Sequence, residues 1–392
     1  MKKNHLSVIA MTAAAFALGV LLCFFAFILC LGGFQNFRSA SKFGAVLRVI
    51  QTEFVGDYDV EEVTDSALRA AIYSLDDSWS YYMSSEEYAS YQDYVKNQYQ
   101  GIGVTILKDE GTGGFRIESL TVDGPADRAG VLVGEIILAC NGTDVTEGST
   151  SELKSLIQSS PDGNPVLTLL AEDGTTREVT VSCEVIETDP VSAELLEDNV
   201  GYIRIENFED RAGAEAVSAV EKLLNQGAEA LIFDVRDNPG GSVTELCELL
   251  DALLPEGEIF HRSDKNGHVS TESSDAACVE VPMAVLINGS SYSAAEFFAA
   301  ALREYDAAIL VGEATTGKAR SQITCVLSDK SAVHISKYSY QTPQGNDLYE
   351  EGGLVPDVEL ALDEEQQAAW SAGTLGTAED GQVKAAKEAL LS

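Results

Sequence analysis

Three short apolar runs constrain this chain most: Ala230-Leu-Ile-Phe-Asp-Val235, Met283-Ala-Val-Leu-Ile287 and Ala307-Ala-Ile-Leu-Val311. Runs of this length that do not alternate with polar residues read as strands buried on both faces. Val200-Gly-Tyr-Ile-Arg-Ile205 reads as one more strand ahead of them. Helical patterns lie between, over 212–224, 243–254 and 294–304, and a further strand is expected over 333–340. Strands alternating with helices imply βαβ units around a largely parallel sheet.

The second run leads directly into Asn288-Gly-Ser-Ser-Tyr-Ser-Ala-Ala-Glu296, and the helix formers Phe297-Phe-Ala-Ala-Ala-Leu302 follow. Asn-Gly marks a tight turn. A serine placed here stands at a helix N-terminus, where unpaired N–H groups and the positive end of the dipole converge. A nucleophile that generates an oxyanion needs such surroundings. The plainer reading is an N-cap, a role serine commonly fills.

Charge narrows the partners. The net charge is −38, and residues after 38 carry 22 basic against 63 acidic side chains, or −41. That surface repels phosphate and argues against nucleic-acid binding. The seven cysteines are scattered without a CxxC or a Cys/His cluster, so a zinc site is not expected, and no metal or cofactor is called for.

From Val8 to Leu31 nothing is more polar than Thr12. Those 24 residues would span roughly 36 Å as a helix, at about 1.5 Å per residue, enough for a bilayer core of about 30 Å. Lys2 and Lys3 precede the run and favour a cytoplasmic N-terminus. The competing reading, a cleaved signal peptide, fits less well, because the run is long and no A-x-A site follows closely. Residues 40–98 have helical periodicity, interrupted at Leu75-Asp-Asp-Ser-Trp-Ser-Tyr-Tyr82, which reads as an aromatic clamp between helices.

After Gln100 the period shortens. Gly101-Ile-Gly-Val-Thr-Ile106, Gly124-Pro-Ala-Asp-Arg-Ala-Gly130 and Gly134-Glu-Ile-Ile-Leu-Ala-Cys-Asn-Gly142 follow in order, then a short helix over 151–157 and strands over 165–170 and 178–182. This order resembles a PDZ domain over residues 96–186. The likeness implies that Gly101, Ile102 and Gly103 form the loop whose N–H groups hold a peptide's terminal carboxylate, with the peptide adding as a strand.

The whole chain from about 40 to 360 resembles the carboxyl-terminal processing peptidases, or tail-specific proteases. The likeness rests on Tyr202-Ile-Arg-Ile205, Asp234-Val-Arg-Asp-Asn-Pro-Gly-Gly241, Ser291-Tyr-Ser-Ala-Ala-Glu296, Val311-Gly-Glu313, Thr316-Gly-Lys318 and Tyr340-Gln-Thr-Pro343. It implies an α/β fold: a ClpP/crotonase-like βαβ protease core with an inserted PDZ domain, itself a partly open β-barrel. The expected organisation is a cytoplasmic tip and transmembrane signal-anchor over 1–36, a helical segment over 37–95, the PDZ domain over 96–186, the serine protease core over 187–362 and a helical tail over 363–392. By the same likeness Ser293 is the nucleophile, Lys318 the base and Gln322 the residue that orients it. The oxyanion donors are then the N–H of Ala294 and that of Gly240 or Gly241. The expected partners are protein or peptide substrates bound by their C-termini and, through the N-terminal helix, the cell membrane, crossed once with the catalytic domain outside the cytoplasm. A homo-oligomer is compatible with the likeness.

These residue types suit the chemistry. A serine hydroxyl needs a base, and lysine serves only when burial keeps it neutral. Glycines let N–H groups approach an oxyanion. Histidine is the rival base, with His334 the candidate in a strand-like run. An inactive PDZ scaffold at the membrane is the rival function. The chain departs from the family pattern in three places. Tyr292 and Ala295 alter the serine motif, and Ala319 follows the lysine where glycine is usual; both changes are expected to affect pocket shape more than chemistry. Gln158-Ser159 stands where Arg-Gly often ends the PDZ helix, which bears on how that domain signals to the protease.

Overall fold

The computed structural model describes residues 2–391, with side chains from Met11 onward. Lys2 and Lys3, on which the expected orientation rests, lie outside the described side chains. The chain divides into two compact units, residues 1–67 and 68–392.

The first unit is helical. Lys2–Cys30 forms one helix, and from Met11 on its side chains are exposed apart from Ile28. The stretch Met11–Cys30 is long and apolar enough to cross a membrane. Phe34–Glu53 forms the next helix, and Val60–Tyr73 runs across the division.

In the second unit the expected parallel sheet is present. Its six strands run in the order Val191–Leu195, Val200–Ile205, Ala230–Asp234, Met283–Ile287, Ala308–Gly312 and Val358–Glu359, all parallel except the first pair. Successive residues point to opposite faces of a strand, and the core divides accordingly. Ile203, Ile205, Leu231, Phe233, Val285 and Ile287 join one cluster with Phe208, Leu246, Phe297 and Phe298. Tyr202, Ala230, Ile232, Ala284 and Leu286 join another with Val383 and Ala386 of the C-terminal helix Gly381–Leu391. Both faces are therefore covered, and each fully buried Phe or Leu contributes about 1.5–3 kcal/mol.

A five-stranded sheet stands beside it. Ala332–Gln341 pairs with Tyr81–Met83, Gly257–Asp264 and Arg320–Val326, and Gly257–Asp264 pairs on with Val269–Ser274. The strand Tyr81–Met83 begins within the interruption of the helical pattern at 75–82, and Arg320–Val326 is a further strand. Between these elements lies the PDZ unit: a six-stranded antiparallel sheet with the helices Pro125–Arg128 and Thr150–Gln158. Gln98–Gly101 pairs with Glu184–Glu187 where the chain enters and leaves it.

Candidate active site

Ser293 sits at the N-terminus of the helix Ala294–Glu304, directly beyond the carboxyl end of Met283–Ile287. The helix is buried from Ala294 through Leu302, which its run of alanines permits. Ser293 has φ 60° and ψ −123°, a backbone region costing a non-glycine residue about 1–3 kcal/mol. The turn holding it there is tied on two sides. Ser291, fully buried, donates its hydroxyl to Val235 O at 2.7 Å and accepts from Asn288 N at 3.0 Å. Tyr292 N donates to Asn238 O at 3.1 Å.

Glu296 provides the third tie. Its carboxylate is completely buried and accepts four hydrogen bonds: from Ser293 N at 3.0 Å, Lys318 N at 2.8 Å, Gly317 N at 2.6 Å and the Thr315 hydroxyl at 2.5 Å. One side chain thus fixes the backbone of both Ser293 and Lys318. The serine-to-glutamate spacing is that of a capping box, a signal available in the sequence but there read only as part of the family motif.

Ser293 and Lys318 line one cleft of about 570 Å³, together with Trp79, Tyr292, Glu209 and Tyr340. Burial pushes the Lys318 ammonium down to about 8, against the charges of Glu296, Asp77 and Glu209, which favour the protonated form. Its Nζ lies 4.4 Å from the centre of the Trp79 ring and 5.6 Å from that of Tyr292. The hydroxyl of Tyr340 donates to Lys318 O at 2.5 Å and stands 3.4 Å from Ser293 Oγ. Among the described residues no hydrogen bond joins Ser293 Oγ to Lys318 Nζ. Catalytic contacts commonly tighten only with substrate present, and the lysine stem has four rotatable bonds to move through.

Gln322 lines the same cleft but does not reach Lys318. A register shift between Ser321 and Gln322 pairs it with Ser336, and its amide donates to Ser336 Oγ and Arg320 O, both at 3.0 Å. Bulges re-aim side chains in this way, and among the described residues no hydrogen bond joins Gln322 to Lys318. His334 is also in the cleft. Its ring stacks on Tyr81 at 4.8 Å and Nδ1 lies 2.9 Å from the Thr324 hydroxyl. Burial, then the Lys318 charge, lowers it to about 4. It is therefore neutral and held by other partners.

The two glycines have different roles. Gly240 N donates to Asn238 Oδ1 at 2.8 Å, so its N–H is occupied. A Cβ on Gly240 would lie 2.7 Å from both Ala294 N and Ser293 Cβ, which is why the position must be glycine. Gly241 N and Ala294 N have no acceptor among the described residues, and both line the cleft.

Trp79 corrects one expectation. It is not a clamp between helices: it packs on Tyr292, ring centres 5.4 Å apart, and on Lys318. Its partners are more than 200 residues away, and nothing local in the sequence signals them.

In the PDZ unit Ile102 is core and Gly103 has φ +76°. Ile102 N and Gly103 N have no acceptor among the described residues. Among the described residues the strand Val104–Lys108 pairs only with Phe115–Leu120, leaving one edge open for an added strand. Gln158 Nε2 donates to Gln100 O at 2.9 Å, beside this loop.

Comparison with known proteins gives a consistent picture. The model of peptidase family S41 matches residues 199–360, and that of the PDZ domain matches 116–170. The chain is 30% identical over 303 residues to a carboxyl-terminal-processing protease of Synechocystis sp., covering 76% of this chain and 70% of that one. It is 29% identical over 314 residues to carboxyl-terminal-processing peptidase 2, chloroplastic, of Arabidopsis thaliana, covering 76% of this chain but 61% of the relative's length. A solved S41-type protease structure from Bacteroides fragilis shares the fold, with a TM-score of 0.58 at 18% identity over 86% of this chain and 92% of that one.

Proposed function

The chain belongs to peptidase family S41, with the serine-type carboxyl-terminal processing proteases, and on that premise we propose that it cleaves peptide bonds through Ser293 and Lys318. The observation that carries this reading is one cleft holding a strained serine, a desolvated lysine and two unpartnered N–H groups. In its neutral form Lys318 accepts the Ser293 proton as Oγ bonds to the scissile carbonyl carbon. The carbonyl electron pair moves to oxygen, and the N–H groups of Ala294 and Gly241 receive that charge. Collapse breaks the C–N bond, and the Lys318 ammonium returns its proton to the leaving amine. Water, deprotonated by the same lysine, then releases the acyl group. Glu296 holds the two backbones in register, while Gln322 forms cleft wall.

The substrates are proteins presenting a free C-terminus. The open edge of Val104–Lys108 and the free N–H groups of Ile102 and Gly103 support this, as do the names of the relatives. The N-terminal helix anchors the enzyme in the cell membrane, with the protease outside the cytoplasm.

The test is fluorophosphonate labelling of the full chain. Wild type should label at Ser293, and Ser293→Ala and Lys318→Arg should not, since arginine stays protonated. Absence of labelling in folded wild type would turn the reading to a PDZ scaffold. Amidating the C-terminus of a bound peptide should weaken its affinity by the equivalent of about 1.5–3 kcal/mol; unchanged affinity would remove the Gly101–Gly103 loop from recognition. Protease added to wall-stripped cells should digest the chain beyond residue 40, and protection there would overturn the topology.

A further inference from the structure

We propose that Trp79 and Tyr292 are positioning residues for the base: a two-ring clamp that holds the Lys318 side chain while it is an ammonium and releases it as an amine. The inference rests on the Ser293–Lys318 reading. Among the described residues Lys318 Nζ has no hydrogen-bond acceptor and no carboxylate in ion-pair contact. Its near neighbours are instead the faces of Trp79 at 4.4 Å and Tyr292 at 5.6 Å. An aromatic face attracts a cation, more strongly when water is excluded, and has no comparable hold on a neutral amine.

Both rings are firmly placed. Tyr292 lies between Ser291 and Ser293 on the tied nucleophile turn. Trp79 precedes the strand Tyr81–Met83, and its loop is closed by Asp77, which accepts from Trp79 N at 3.2 Å and from the Ser80 hydroxyl at 2.5 Å. Ser80 Oγ in turn accepts from Ser336 N at 3.0 Å. The clamp thus bridges the nucleophile turn and the neighbouring sheet.

The other groups around Lys318 act at longer range. Glu296, Asp77 and Glu209 favour the ammonium. Glu209 is itself pushed up to about 7 by burial, then by the charges of Glu245 and Asp210. His334 is neutral, and Arg262, on the cleft wall, faces Glu272 at 3.6 Å. The rings therefore add to the carboxylates, and together they oppose desolvation. The pH at which lysine becomes a base depends on that balance, and Tyr292, where the family usually has alanine, is part of it.

The test is the rate of fluorophosphonate acylation between pH 6 and pH 10, measured on the full chain. Trp79→Leu keeps an apolar group but removes the π face, and Tyr292→Leu does the same on the other side. Each should move the acid limb down by about half a unit to one unit, making acylation below the midpoint roughly threefold to tenfold faster. Trp79→Phe should restore most of the wild-type midpoint. Midpoints that stay fixed or rise in both leucine variants, with Lys318→Ala unreactive, would overturn the clamp and leave the base assignment intact. A Lys318→Ala protein that acylates at the wild-type rate would overturn the reading beneath it.

Discussion

Glu296→Gln is the most informative single substitution. Glutamine keeps the shape but replaces one acceptor oxygen with an NH2 donor. The Oε1 side can still accept from Gly317 N and the Thr315 hydroxyl. The other side would then present donor hydrogens to Ser293 N and Lys318 N, each within 3.0 Å of the present oxygen. Two hydrogen bonds to a charged acceptor are lost, at about 1.5–3 kcal/mol each, so ~3–6 kcal/mol in all. A fold whose net stability is about 5–15 kcal/mol would register that clearly. Urea unfolding of the variant should show the loss. In the protein that remains folded, kcat/KM should fall about 100-fold, the scale of a 1 Å misplacement of a reacting group. The acid limb should also move to lower pH, because Glu296 favours the Lys318 ammonium and its charge would be gone. A folded Glu296→Gln protein with unchanged stability and turnover would refute the claim that this carboxylate holds the site in register.

Three further outcomes are expected. Lys318→Met should abolish turnover yet raise the melting temperature near pH 7. The folded lysine titrates at about 8 against an ordinary 10.5, so the unfolded chain binds more protons and wild-type stability should rise as pH climbs through that window; a flat stability profile would contradict this. Gly240→Ala should lower kcat by about 10²–10³ with little change in far-UV circular dichroism, since the new methyl would sit 2.7 Å from Ala294 N; an active Gly240→Ala enzyme would rule out that cradle. Asp380→Ala should cost about 3 kcal/mol in urea unfolding, because Arg236, almost fully buried, pairs with Asp380 at 2.8 Å as well as with Asp234; an unchanged midpoint would show that the C-terminal segment is not anchored there.

The central sheet was legible because burial on both faces leaves a compositional mark. Ala230–Asp234 and Met283–Ile287 are apolar on both faces apart from Asp234, which Arg236 and Tyr202 satisfy. The PDZ unit was legible from glycines and turn residues at fixed offsets. Arg320–Val326 carries a weaker mark, since it is a half-exposed strand. At the site, the family resemblance points to Ser293 and Lys318, and Glu296 stands in the same motif without its role being marked. What the sequence hid was long-range geometry. The bulge that turns Gln322 toward Ser336 has no local signature, and Trp79 meets Lys318 only because Tyr81–Met83 pairs with Ala332–Gln341.

The backbone of Ser293 has an evolutionary corollary. Glycine adopts φ near +60° without strain, so Ser293→Gly should relax the turn and leave the protein more resistant to heat, by on the order of 1 kcal/mol. The hydroxyl and the strain therefore disappear together. A lineage that no longer needs proteolysis would meet a downhill step at this codon, and a sturdier, silent paralogue would be its natural descendant.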